Sequence, residues 1–190
     1  MLSEEFVTMN GEKTESTPFP RPGSAEYSFL LETDSKKKEK TLKRWKQMNK
    51  FFTIPLYRAG ILPLLGGHKI FLMLFTKGRK SGKTRITPLE YRKKDGVVHV
   101  VAGRGKKAHW YQNMLANPED VMIKLGFKKH QVTFQTLKTV EEKNDLLKWY
   151  VIKYPKAAKM LFGWNPKEDD PVTADFTSFS KMIEIVKFTF

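Results

Sequence analysis

The sequence predicts an α+β fold built on a small, mostly antiparallel barrel of about six strands, with helices at the strand junctions. Three observations predict it. Short runs of alternating or β-branched residues recur along the second half of the chain, bounded by Gly, Pro and Asn-Pro. Helical spacing appears only before, between and after those runs. The 190 residues show no internal repeat, which fits one domain with a real core.

Residues 1–35 are polar and contain prolines, and are expected to be a flexible lead mostly without fixed structure. Their acidic start reads as no secretory signal. Residues 36–67 are expected to form a basic amphipathic helix and its connection. The helix spans 40–59, with Leu42, Trp45, Met48 and Phe52 at helical spacing beside Lys43, Lys46 and Lys50. Gly60, Pro63, Gly66 and Gly67 break it. Residues 68–190 then form the main domain. Lys69–Thr76 is an apolar run of strand length. Thr84–Lys93 and Val97–Ala102 flank the turn Lys94-Asp95-Gly96, a hairpin signal. His109–Ala116 is a short helix stopped by Asn117-Pro118. Val121–Gly126 and Gln131–Lys138 are expected to pair as a second hairpin. Thr139-Val140-Glu141-Glu142 is a capping box that opens a helix to about Tyr154. Residues 163–181 read as loop-rich, and Met182–Phe190 as a closing strand.

The net charge of +15 is focused rather than spread. Residues 36–50 carry eight Lys/Arg and one Glu, and residues 77–107 carry eleven Lys/Arg against two acids, so these windows hold the whole excess. Focused charge favours an anionic partner over mere solubility. The absence of cysteine excludes disulfides, thiolate zinc sites, iron–sulfur clusters and cysteine nucleophiles, and fits a reducing compartment. No run approaches the roughly 20 apolar residues of a membrane span.

Thr76–Asn113 concentrates the chemistry. A basic glycine loop, Gly78-Arg79-Lys80-Ser81-Gly82-Lys83-Thr84-Arg85, leads into the first hairpin. A second basic glycine loop, Gly103-Arg104-Gly105, leaves it and runs into His109-Trp110-Tyr111-Gln112-Asn113. Two cationic loops joined by a hairpin suit one elongated anion, and the aromatic pair suits a flat ring. The first loop is no Walker A motif. Gly78 and Gly82 are separated by three residues where that motif has four, and a strand follows, not a helix. The loop can still hold phosphate or carboxylate through backbone N–H groups and the Arg79, Lys80 and Arg85 side chains. Alone it would read as a solvated turn; the second loop shifts the balance.

These residues resemble the deazaflavin (coenzyme F420)-dependent nitroreductase and quinone reductase family. The resemblance runs from about Phe71 to Leu137. It rests on the Gly-Arg-Lys-Ser-Gly loop, on Arg85-x-x-Pro88-Leu89, and on Trp110-Tyr111-x-Asn113 leading to Ala116-Asn117-Pro118. It implies a split β-barrel related to FMN-binding pyridoxamine-phosphate oxidases, placed on residues 68–190. It also implies coenzyme F420 as cofactor, with FMN as the alternative. The family pattern places Arg79, Lys80 and Ser81, then Arg85, Ile86, Thr87, Pro88, Leu89 and Glu90, at the cofactor's phosphate and polar tail. It places Val101, Ala102, Gly103 and Arg104 against the deazaflavin ring, and His109, Trp110, Tyr111, Gln112 and Asn113 where the site closes. The cofactor carries the hydride, so no catalytic side chain is fixed; His109 and Tyr111 are the candidates. On the substrate side the sequence departs from typical nitroreductases. Gly103 stands where those carry a serine, and Ala157 and Met160 where they carry tyrosines, which implies a more open pocket.

The activity implied is hydride transfer to a quinone-like, nitro or other electron-poor small-molecule acceptor. The alternatives are an FMN-binding split-barrel protein and a non-catalytic cofactor- or anion-binding module. His109 has a competing reading as a helix-start residue. His68, His99 and His130 have no ligand spacing, so no metal site is expected. Trp149 and Tyr150 read as core or rim, and Asp169-Asp170 as a solvated loop. The basic helix at 40–59 reads by default as a cover for the barrel, and alternatively as a contact to an anionic membrane surface. Nucleic acid is disfavoured, because no recognised module is present. The expected location is the cytoplasm, with a peripheral position at the inner face of the membrane as the variant, and a homodimer is the oligomer considered.

Overall fold

The structure, a computed structural model, describes residues 18–190. The described chain begins with α1 (Ala25–Leu30) and α2 (Ser35–Met48). Asp34 caps α2 by accepting from the Lys36 and Lys37 N–H groups at 2.8 and 3.3 Å. A π-turn over Asn49–Thr53 carries α2 into α3 (Ile54–Arg58), so the predicted helix runs on from α2 with one inserted bulge. The short α4 (Ile61–Leu64) follows Gly60, whose φ of 80° only glycine takes readily. Then come β1 (Phe71–Lys77), β2 (Thr84–Lys94) and β3 (Val97–Ala102). Asp95 and Gly96 take φ of 52° and 81°, the pair of positive values that a type I′ hairpin turn requires. After α5 (His109–Ala116) come β4 (Met122–Leu125), β5 (Lys128–Gln131) and β6 (Thr133–Thr136). The chain closes with α6 (Val140–Lys153), α7 (Pro155–Phe162), α8 (Thr177–Met182) and β7 (Glu184–Thr189). The Thr139/Glu142 capping box is present in full at the start of α6.

The seven strands are all antiparallel, in the order β5-β4-β1-β2-β3-β7-β6. The curl of the sheet into a half-barrel follows from that order. β5 and β6 are the two edges of the sheet, yet only Val132 separates them in the chain, so the sheet must curl to bring its edges together at that corner. β2 is the strand that bridges the two halves. Thr84–Glu90 pairs with β1, whereas only Tyr91–Lys94 pairs with β3. From Thr84 to Glu90 the other edge of β2 therefore carries no partner strand. Pro88 sits there for a reason. The Tyr91 N–H donates to Ile70 O at 2.9 Å, and strand N–H groups alternate sides, so Pro88, three residues earlier, turns its missing donor away from β1.

Two apolar cores flank the sheet. Leu72, Leu74, Val98, Val100, Met114, Ile123, Val186 and Phe188 fill the barrel. Phe19, Leu147, Val151, Phe162, Trp164, Phe176, Phe179 and Ile185 form the second core, beneath the C-terminal helices. On β7, Ile185 belongs to one core and its neighbours Val186 and Phe188 to the other; Val186 and Phe188 share a face as strand alternation requires.

Three sequence expectations are corrected. The lead is expected mostly without fixed structure over 1–35; residues 1–17 lie outside the described residues, and from residue 18 three side chains anchor the segment. Phe19 stacks on Phe176 at 5.0 Å, Phe29 is buried, and Arg21 grips Asp169 at 2.6 and 2.8 Å. Asp169 is accordingly no solvated loop residue. The run read as one strand over Gln131–Lys138 falls into two pairings: Lys128–Gln131 is the hairpin partner of β4, and Thr133–Thr136 pairs with β7. That raises the strand count from six to seven. The loop-rich stretch over 163–181 also contains most of the short α8.

Candidate functional site

The unpartnered edge of β2 opens onto a cleft of about 760 Å³. Its floor is Ile86, Thr87, Pro88 and Leu89 from that edge, with Val101, Gly103 and Arg104 from the end of β3 and the loop after it. His109 and Trp110 stand at one wall, brought there by the start of α5. The opposite wall is Leu42, Trp45, Lys46, Asn49 and Lys50 from α2 and the π-turn, with Arg58 of α3. The predicted helix thus covers the barrel and also lines the site. Glu26 and Phe29 of α1 complete the lining.

The first glycine loop is held in shape at the cleft's rim. Gly78 N–H donates to Lys83 O at 2.9 Å, and Gly82 N–H to Gly78 O at 2.8 Å. A Cβ at Gly78 would crowd the turn, lying 2.8 Å from Ser81 Oγ and 3.2 Å from Lys83 O. Asn113, buried on α5, accepts at its Oδ1 from both the backbone N–H and the Nη1 of Arg79, each at 3.2 Å. Asn117 Nδ2 donates to Lys77 O at 3.3 Å. Arg85 Nη2 donates to Ser81 Oγ at 3.2 Å. The loop therefore presents Arg79, Lys80, Ser81, Lys83 and Arg85 as exposed groups on an anchored backbone. Its cations reach the cleft electrostatically. Partial burial, then the charges of Arg104, Arg79, Lys46 and Lys80, holds His109 below the usual imidazole range, so its ring is mostly neutral at pH 7. A neutral ring amid four cations suits an anionic ligand better than it suits an imidazolium acid.

The expected residues divide. Ile86, Thr87, Pro88, Leu89, Val101, Gly103, Arg104, His109 and Trp110 come together in the cleft, with Arg79, Lys80, Ser81 and Arg85 on the adjoining loop. Tyr111 is directed into the barrel core, its hydroxyl 3.1 Å from Thr136 Oγ1. Ala102 is buried. Gln112 Nε2 donates to Lys106 O at 2.9 Å, and Asn113 positions Arg79. Glu90 faces a second, smaller cavity, where it accepts from the Tyr150 hydroxyl at 2.9 Å and pairs with Arg92 at 2.5 Å. Ala157 and Met160 lie on α7, apart from the residues that line the cleft. α7 packs instead against α1, and the carboxylate of Glu26 fills the space beside Gly103, where even a Cβ would collide with it. The opening expected at Gly103 is therefore occupied from α1.

The sequence profile of the F420H(2)-dependent quinone reductase family matches residues 60–161, more than half of the chain. The chain belongs to that family. The matched stretch takes in β1 to β6, both glycine loops, α5, α6 and most of α7, and so the floor and rim of the cleft. The chain is 37% identical over 75 residues to the F420H(2)-dependent quinone reductases of Mycobacterium tuberculosis strains CDC 1551 and H37Rv; this covers 35% of the chain and 50% of each relative. The chain thus spans half the length of the curated relatives it matches. Among solved structures, it is similar to an F420-H2 dependent reductase (FDR-A), with 28% identity, 64% of this chain and 95% of the other covered, and a TM-score of 0.42. Of the cleft, this quinone reductase family match leaves out Glu26 and Phe29 of α1 and the α2–α3 wall, which precede residue 60. Among the described residues no three His, Asp or Glu are grouped to hold a metal ion, and no helix is long and apolar enough to cross a membrane.

Proposed function

We propose that the chain is a coenzyme F420-dependent oxidoreductase that reduces quinone-like, nitro or other electron-poor acceptors. The observation that carries this reading is the pairing of one apolar cleft with one cationic rim. Ile86, Pro88, Leu89, Val101 and Trp110 offer a flat apolar bed for a tricyclic ring. The exposed side chains of Arg79, Lys80, Lys83 and Arg85 stand on the adjoining loop for a phosphodiester and carboxylate tail. A volume of about 760 Å³ accommodates a ring and an acceptor together. Four loop cations exceed what a single FMN phosphate uses, which favours the longer polyanionic tail over the FMN alternative.

The bound cofactor would supply the hydride; the protein's part is to bind, orient and exclude water. Arg79 is pre-positioned by Asn113, so less ordering is left for ligand binding to impose. The α2 wall, with Trp45 and Lys46, covers the bed from the far side. Reduced deazaflavin should be oxidised by a menadione-type quinone in the presence of the protein, and only slowly by a bicyclic nitroimidazole, since the cleft wall at Gly103 offers no hydroxyl donor. Equal or faster nitroimidazole turnover with no quinone turnover would remove the acceptor preference.

A specific surface also supports the peripheral membrane reading. Phe51, Phe52, Leu64 and Leu65 are 61–80% exposed, close in sequence to Lys43, Lys46, Lys50 and Arg58. A lipid-soluble acceptor would then reach the cleft from the bilayer. Sedimentation with vesicles should show binding to anionic but not to neutral lipid, reduced in Phe51→Ser/Phe52→Ser; indifference to lipid charge would end this reading.

A further inference from the structure

We infer that Glu26 is the acid that delivers the proton to the acceptor oxygen as the acceptor is reduced in the cleft. This rests on the oxidoreductase reading above. Reduction of a quinone needs a hydride and a proton. The hydride brings both electrons from the reduced deazaflavin, which is left oxidised. The proton must come from an acid that faces the cleft and holds it at neutral pH. As the Glu26 O–H bond breaks, its electron pair stays on the carboxylate, a new O–H bond forms on the acceptor, and solvent then restores the proton.

The geometry singles Glu26 out. It stands on α1 between two cavities and lines both: the cleft, and a smaller cavity of about 110 Å³ lined also by Glu90, Arg92 and Tyr150. Its Oε2 is buried without a hydrogen-bond partner. A buried carboxyl oxygen of this kind is costly as a charge and calls for an explanation. Gly103, in the loop expected beside the ring, is the position that admits it, because a Cβ there would meet the Glu26 carboxylate. Arg92 Nε is likewise buried and unpartnered, in the wall of the smaller cavity. That cavity is roomy enough for water between the two groups, which gives the carboxylate a route to be reprotonated from behind.

The neighbouring groups are worse candidates. Burial, and then the charge of Glu90, pushes the Glu26 carboxyl up to about 7, so roughly half of it is protonated at neutral pH. Glu90 is committed as an acceptor to Arg92 and Tyr150. Burial raises Tyr91, and raises Tyr150 above its ordinary range, so both phenols hold their protons more tightly. His99 and His109 are lowered, chiefly by burial, and are mostly neutral. Across the cleft, Lys46, Lys50, Arg58 and Arg104 are cations suited to holding the anionic cofactor.

The test compares wild type with Glu26→Gln, which keeps the shape and removes the acid. The variant should bind deazaflavin within a few-fold of wild type but reduce quinone with kcat lowered about a hundredfold, the usual scale of general acid catalysis. Wild-type kcat should fall as pH rises through about 7, where the acid is lost, and the variant should lack that limb. A second readout needs no cofactor. A carboxyl raised from 4.5 to about 7 favours the fold while protonated and disfavours it once ionised. Glu26→Gln should therefore melt higher than wild type above pH 8, with the gap closing as pH falls below about 4.5. Infrared titration of the cofactor-free wild type should show one carboxyl band with a midpoint near neutrality, a measurement that holds even if the variant folds poorly. Wild-type turnover and an unchanged alkaline limb in Glu26→Gln, or no carboxyl titrating near 7, would overturn the assignment while leaving the cofactor reading intact. A wild-type chain that binds no deazaflavin would overturn both.

Discussion

Replacing Lys143 with alanine should lower the unfolding free energy by about 3–5 kcal/mol. Lys143 is buried on α6, and its ammonium donates to three groups: Ile183 O at 2.7 Å, Glu184 Oε2 at 3.1 Å and Ser180 O at 3.3 Å. These partners lie at the end of α8 and the start of β7, so one side chain ties three elements together. Truncation leaves the buried Glu184 carboxylate without its counter-charge, and an uncompensated buried charge is far more costly than a lost surface pair. For a chain of this length the melting temperature should drop by on the order of 10 °C. The double variant Lys143→Met/Glu184→Leu separates the causes. Removing both charges at similar volume should recover most of the loss. A single-variant loss below about 1 kcal/mol would show that the pair behaves as an exposed one.

The second large effect concerns cofactor affinity. Arg79→Ala should raise the deazaflavin dissociation constant about tenfold or more, because a charged hydrogen bond contributes roughly 1.5–3 kcal/mol. Folding should be little affected. The side chain is exposed, and the backbone N–H of residue 79 keeps its bond to Asn113 Oδ1. The loss should shrink as salt rises, since screening weakens the wild-type contact. Unchanged affinity with a lowered melting temperature would recast Arg79 as a structural partner of Asn113.

The parts legible in the sequence are those whose cause is local. The β2–β3 hairpin is announced by Asp95-Gly96, which supplies the two positive φ values, and α6 by its capping box. The cleft floor was legible because two basic loops and the strand between them are contiguous in the chain. The β5–β6 corner was not. Val132 turns there without glycine or proline, fixed by its N–H bond to Val121 O at 3.3 Å, and alternating residues continue on both sides of it. The burial of Phe19 and Phe29 and the placement of Glu26 were equally hidden. Phe29 meets Trp45 on α2, Phe19 meets α7 and the segments after it, and Glu26 lies beside Gly103, while the polar composition around them points to disorder. The role of α2 was half legible: its apolar stripe with Trp45 signals a covered face, but nothing local says that the covered object is the cleft.

The central claim is that the cleft between β2, α5 and α2 holds a deazaflavin with an anionic tail. Titration of the wild-type chain with oxidised deazaflavin, in parallel with FMN and followed by ligand fluorescence, tests it most directly. Micromolar or tighter deazaflavin binding that weakens as salt rises, together with much weaker FMN binding, is the expected result. Tight FMN binding with no deazaflavin binding would contradict it.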